Sequence, residues 1–193
     1  MRSRRLAALS ASTLLAILFL VPGAFASTAR GLSTHATLAL AAQGELTFTS
    51  RTYPTGGDFP VSVAAGNFNG DQHPDLVVAN EFSDNLAVLP GSADGTFGPA
   101  RTFSTGLSTF PFSVAAGDFN ADQRPDLAAA SIFTGKVWVL LSNPDGTFGP
   151  STGYNIGDSP YDTAYSVAVG EFDGNNDPDL AVANQGASSV SVL

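Results

Sequence analysis

The chain has 193 residues, no cysteine, and 17 acidic against eight basic residues, for a formal net charge of −9. That balance excludes a nucleic-acid binder, which needs a basic surface. The lack of cysteine excludes disulfides and thiol catalysis.

Residues 1–26 read as a secretory signal. Arg2, Arg4 and Arg5 form the positive region, Leu6 to Val21 the apolar region, and Ala24-Phe25-Ala26 the small-residue cleavage pattern. The apolar run is short for a transmembrane anchor, is interrupted by serine, and no stop-transfer charges follow it, so no stable membrane insertion is expected after cleavage. Export removes three basic residues and leaves five against 17 acidic ones, a net charge of −12. Residues 27–43 are rich in Thr and Ala and read as a poorly ordered linker. Residues 44–56 read as a leading outer strand, because Arg51-Thr52-Tyr53 matches Arg101-Thr102-Phe103 further on.

From there the chain repeats itself, which sets the architecture. Ser62-Val-Ala-Ala-Gly-Asn-Phe68 returns as Ser113-Val-Ala-Ala-Gly-Asp-Phe119 and Ser166-Val-Ala-Val-Gly-Glu-Phe172. Asp94-Gly-Thr-Phe-Gly-Pro99 returns as Asp145-Gly-Thr-Phe-Gly-Pro150. In the first copy the pattern predicts strands near 61–66, 75–80, 85–90 and 96–104, short apolar runs bounded by Gly, Pro, Asn and Asp. Leu76-Val77-Val78-Ala79 and Val137-Trp138-Val139-Leu140 are apolar on both faces, so both faces must be covered. Four strands per unit of roughly 50 residues, stacked radially, is the propeller pattern. The expected fold is all-β: three four-stranded blades near 57–106, 107–157 and 158–193, together an open or incomplete propeller. Leu193 aligns with Leu89 and Leu140, so the third unit lacks its fourth strand, and a second copy could supply residues 44–53 as part of a homodimer.

An acidic loop joins the first two strands of each unit. Oxygen-bearing side chains stand at its positions 1, 3, 5 and 9: Asn67, Asn69, Asp71 and Asp75; Asp118, Asn120, Asp122 and Asp126; Glu171, Asp173, Asn175 and Asp179. Position 7 adds a backbone carbonyl from His73, Arg124 or Asp177. Alternate oxygens followed by a later carboxylate are how a short loop wraps Ca²⁺, which takes six to eight oxygen ligands. Asp and Asn also crowd ordinary turns, so a single loop would carry little weight.

Gly-Asp-Phe-Asn-x-Asp-x-x-Pro-Asp-Leu (Gly117 to Leu127) together with Asp145-Gly-Thr-Phe-Gly-Pro150 resembles the FG-GAP or VCBS repeats of integrin-like β-propellers. The resemblance covers residues 44–193. It implies calcium in the loops, an extracellular location, and a role in adhesion, in binding a protein or glycan, or as an accessory to a secreted polysaccharide-acting enzyme. Family loops usually carry Gly at position 6, where this chain has Gln72, Gln123 and Asn176. Asn67 also gives the first loop an amide where a carboxylate is usual, which points to loops 2 and 3 as the metal sites.

No catalytic constellation is visible. The histidines are His35 in the linker and His73 in the first loop, and carboxylates that recur in every unit mark a structural task, so no enzyme activity is expected. Trp138 is read as packing between blades, and Tyr53, Phe103 and Tyr154 as core. The connections between units vary in length, and the longest, residues 158–165, holds Tyr161 and Tyr165; variable loops on a constant scaffold are where recognition usually sits.

Overall fold

The computed structural model describes residues 49–157 and 162–193. The signal and linker segments, residues 44–48 of the leading strand, and residues 158–161 of the longest connection lie outside that range. The repeats fold as one unit, Thr52–Leu193.

Three antiparallel sheets follow one another along the chain. The first holds β1 (Pro60–Gly66), β2 (Asp75–Asn80), β3 (Asn85–Leu89) and β4 (Arg101–Ser104) in that order. The second holds β5 (Pro111–Gly117), β6 (Asp126–Ser131), β7 (Lys136–Leu140) and β8 (Thr152–Asn155). The third has three strands, β9 (Ala164–Gly170), β10 (Asp179–Asn184) and β11 (Ser189–Val192). The register repeats with the sequence: Gly66 faces Asp75, Gly117 faces Asp126, and Gly170 faces Asp179. The first strands β1, β5 and β9 pack on one another in turn, so the sheets stack as blades in an open arc.

The doubly apolar strands are explained by what lies on either side. In β6, Leu127 and Ala129 join the cluster between the first and second sheets, with Val77, Ala79, Leu86 and Phe148. Ala128 and Ala130 point the other way, into the cluster between the second and third sheets, with Val137, Val139, Val167 and Val182. Successive side chains of a strand alternate faces, so a strand walled on both sides must be apolar throughout. Burying a side chain such as Leu127 contributes roughly 1.5–3 kcal/mol.

Four sequence expectations change here. The run 96–104 is not one strand. Phe97 makes only an isolated bridge to Gly91, closing the small Asp94-Gly95 turn, and β4 begins at Arg101. Residues 49–53 form no strand. Trp138 joins neither buried cluster; its ring lies over Gly153 of the neighbouring strand β8, with the Lys136 ammonium 5.6 Å from the ring centroid. Phe103 does pack against the first cluster, Tyr53 is half-buried with its ring edge-on to Phe97 at 5.4 Å, but Tyr154 is 49% exposed.

Candidate functional site

The three acidic loops lie at one end of the blades, each between the first and second strand of its sheet. Their side-chain oxygens turn inward because each accepts a backbone N–H of its own loop. At position 3, Asn69, Asn120 and Asp173 accept the N–H of Asp71, Asp122 and Asn175 at 2.9, 3.1 and 3.0 Å. At position 5, Asp71, Asp122 and Asn175 accept the N–H of His73, Arg124 and Asp177 at 2.9, 2.9 and 2.6 Å. These are Asx turns, the local bond that suits Asp and Asn to such bends. At position 1, Asn67 accepts from Gly70 at 2.8 Å, Asp118 from Asp122 and Gln123 at 3.0 and 2.7 Å, and Glu171 from Gly174.

Position 9 differs from the others because it is buried. Asp75 and Asp126 are fully enclosed. Asp75 accepts the N–H of Phe68 at 2.8 Å and of Gly91 at 2.7 Å. Asp126 accepts those of Phe119 at 3.0 Å and Ser142 at 2.8 Å. Each carboxylate therefore ties the acidic loop to the backbone that leaves the third strand. Asp179 accepts from Phe172 at 2.7 Å.

The missing position-6 glycine does not change the backbone. Gln72, Gln123 and Asn176 all take the left-handed conformation, with φ of 69°, 65° and 69°. Position 4 is left-handed as well; there Ala121, at φ 59°, carries the side chain in the second loop.

The loops differ in how they gather charge. In the third, Glu171, Asp173 and Asp179 each offer an oxygen within 4.8 Å of the others. It is the one such group of three among the described residues. In the second loop both Asp118 oxygens are taken by backbone N–H groups, and the Arg124 guanidinium meets Asp122 at 2.5 Å. In the first, the His73 N–H and then the Asn69 amide hold the exposed Asp71 carboxyl below its ordinary 3.8. That difference between the second and third loops needs side-chain directions to see.

Two further features escaped the sequence reading. Asp84 accepts three consecutive backbone N–H groups, Ser108 at 2.7, Thr109 at 2.8 and Phe110 at 2.9 Å, and so fastens the connection between the first two blades. Ser62 Oγ accepts the Val114 N–H at 3.2 Å across the first seam, and Ser113 Oγ accepts that of Val167 at 3.3 Å across the second. The recurring serine of each repeat was the available signal for this bond.

These sheets and loops define a β-propeller repeat protein. Residues 67–129 and 118–182 match the FG-GAP-like repeat, and the chain belongs to that family. Among solved structures it is similar to two crystal structures of BBS1N in complex with ARL6DN. One was soaked with mercury (16% identity, 72% of this chain, TM-score 0.49) and one with lead (15%, 75%, 0.46). The chain aligns with 42% of the length of each. Comparison with curated proteins gives no match.

Proposed function

We infer that the protein is a secreted, non-catalytic propeller-repeat module that binds Ca²⁺ in its acidic loops and serves adhesion or the binding of an extracellular protein or glycan. The observation that carries the calcium reading is the convergence of Glu171, Asp173 and Asp179 within 4.8 Å. Hard oxygen donors on a flexible loop suit calcium, and the bound ion would neutralise carboxylates that otherwise repel. Asn175 and the Asp177 carbonyl complete the donor set of that loop. In the second loop the same role requires Asp122 to leave Arg124. Export is supported by residues 1–26. A non-catalytic role is supported by carboxylates that are engaged with backbone N–H groups in every loop.

The test is thermal melting of the mature chain in calcium and in chelator. A ligand that binds the folded state at about 100 times its Kd adds about 2.7 kcal/mol. Asp173→Asn should remove most of the calcium-dependent rise; identical melting curves in calcium and chelator would overturn the reading. Glycan-array binding with and without calcium then tests the partner class. Pairing of two copies is part of the same reading, supported by exposed Val190 and Val192 on β11; light scattering on the mature chain decides it.

A further inference from the structure

Asn69-Gly70 is the one Asn-Gly pair in the chain. Both residues are exposed, Gly70 has φ 77°, and nothing lies within 4 Å of where its Cβ would stand. The second loop provides a matched comparison. Asn120-Ala121 has the same left-handed turn, with Ala121 at φ 59°. It also has the same side-chain bonds: Asn120 Nδ2 donates to Asp122 at 2.9 Å, as Asn69 Nδ2 donates to Asp71 at 2.8 Å. At the following nitrogen the two positions differ by one Cβ, and by the bond to Asn67 Oδ1 at 2.8 Å that holds the Gly70 N–H and would slow Asn69 rather than speed it.

We propose that Asn69 is a site of spontaneous deamidation that turns position 3 of the first loop into the carboxylate the third loop carries as Asp173. The Gly70 nitrogen loses its proton and attacks Cγ of Asn69. A C–N bond forms, the Cγ–Nδ2 bond breaks, and ammonia leaves. Water then opens the cyclic imide at either carbonyl, giving Asp or isoaspartate at position 69. The sum is one water consumed and one ammonia released, with no oxidation or reduction. In the closed loop the Gly70 N–H is held by Asn67 Oδ1 at 2.8 Å, so attack occurs from the locally opened loop, and exposed loops open readily.

The consequence follows from a pattern common to all three loops. Positions 3 and 5 always pair one amide with one carboxylate through an N–H···O bond: Asn69 to Asp71 at 2.8 Å, Asn120 to Asp122 at 2.9 Å, and Asn175 to Asp173 at 3.0 Å. Deamidation removes the donor from the first pair and leaves two carboxylates facing each other. The loop then carries acids at positions 3, 5 and 9, and its metal-free form is repulsive. The modification itself does not depend on the calcium reading, because the chemistry needs only the Asn-Gly backbone.

The test incubates the full chain in chelator at mildly alkaline pH and follows amide-to-acid conversion at Asn69 and Asn120 by peptide mass spectrometry. With no Cβ to shield the attacking nitrogen, Asn69 should convert at least about tenfold faster than Asn120. Gly70→Ala should bring Asn69 down to the Asn120 rate. Ala121→Gly, which relaxes a strained turn and so folds, should raise Asn120 toward the Asn69 rate. Equal rates at the two positions in the parent chain, or no acceleration in Ala121→Gly, would overturn the proposal.

Discussion

Phe68 and Phe148 meet edge to face, ring centroids 6.1 Å apart, across the seam between the first and second blades. One ring comes from an acidic loop and the other from the Asp-Gly-Thr-Phe turn of the next repeat. Phe148 also meets Phe103 at 5.1 Å. The two most recognisable aromatic positions of the repeat are thus partners in space, although they lie in different units.

Removing that ring should weaken the seam. Phe148 is only 8% exposed, so Phe148→Ala should cost roughly 3–5 kcal/mol in urea denaturation. Phe172 holds the Phe68 position in the third loop but is 53% exposed, and Phe172→Ala should change stability by less than about 0.5 kcal/mol. Equal losses would show that the aromatic positions act within blades rather than between them.

Position 9 should matter without any metal. Asp126→Ala strands two backbone N–H groups, each worth about 1–3 kcal/mol when left without an acceptor, so the variant should be destabilised in chelator. Asp122→Ala, which loses the bonds from the Arg124 N–H and the Asn120 amide and a half-exposed ion pair, all within one surface loop, should cost less than Asp126→Ala under the same conditions. Denaturation midpoints of the two variants in chelator separate the structural role of these carboxylates from any role as ligands.

The left-handed turns give a stabilising change. Ala121 occupies a conformation that costs a non-glycine residue about 1–2 kcal/mol, and Ala121→Gly should recover about 1 kcal/mol. Gly146 presents the opposite case. It has φ 74°, and an added Cβ would lie 3.3 Å from the Cα and Cβ of Asn69. Gly146→Ala should therefore lower the melting temperature.

Acid should destabilise the fold partly through Asp145. The Thr147 hydroxyl and then its N–H hold the Asp145 carboxyl below its ordinary 3.8. A group depressed in the folded state contributes stability that is present above pH 3.8 and disappears as pH falls through the lower folded value. Asp145→Asn should flatten the acid limb of a melting-temperature profile below pH 3.8 and leave the neutral region with a constant offset. An unchanged acid limb would remove Asp145 from the account.

Asp84 should behave as a fastener of the connection between the first two blades. Asp84→Ala should cost about 2 kcal/mol, because three N–H groups lose a charged acceptor. Hydrogen exchange should accelerate at Ser108, Thr109 and Phe110 while β2 and β3 keep their protection.

Much of this was legible because the repeats align. Recurrence located the loops and the inner strands, and doubly apolar runs such as Leu76 to Ala79 announced walls on both faces. Three kinds of feature were not legible. The 96–104 run looked continuous, yet the Asp94-Gly95 turn closes on Gly91 and Phe97 and leaves β4 to start later. Tyr154 aligns with Phe103, but an aligned residue is buried only where a neighbour covers it. The second acidic loop reads as richer in charge than the first; that its Asp118 accepts two backbone N–H groups and its Asp122 meets Arg124 is not written in the residue types. Backbone pairing decided the first of these outcomes and side-chain direction the other two, and residue type alone fixes neither.

The alternation within β6 makes the middle blade a party wall. Leu127 and Ala128 are joined by one peptide bond, yet each belongs to a different interior. Close-packed interiors transmit displacement instead of absorbing it. Crowding on one side of this wall is therefore relieved by moving into the other, and the two seams are coupled with opposite sign through a partition one strand thick.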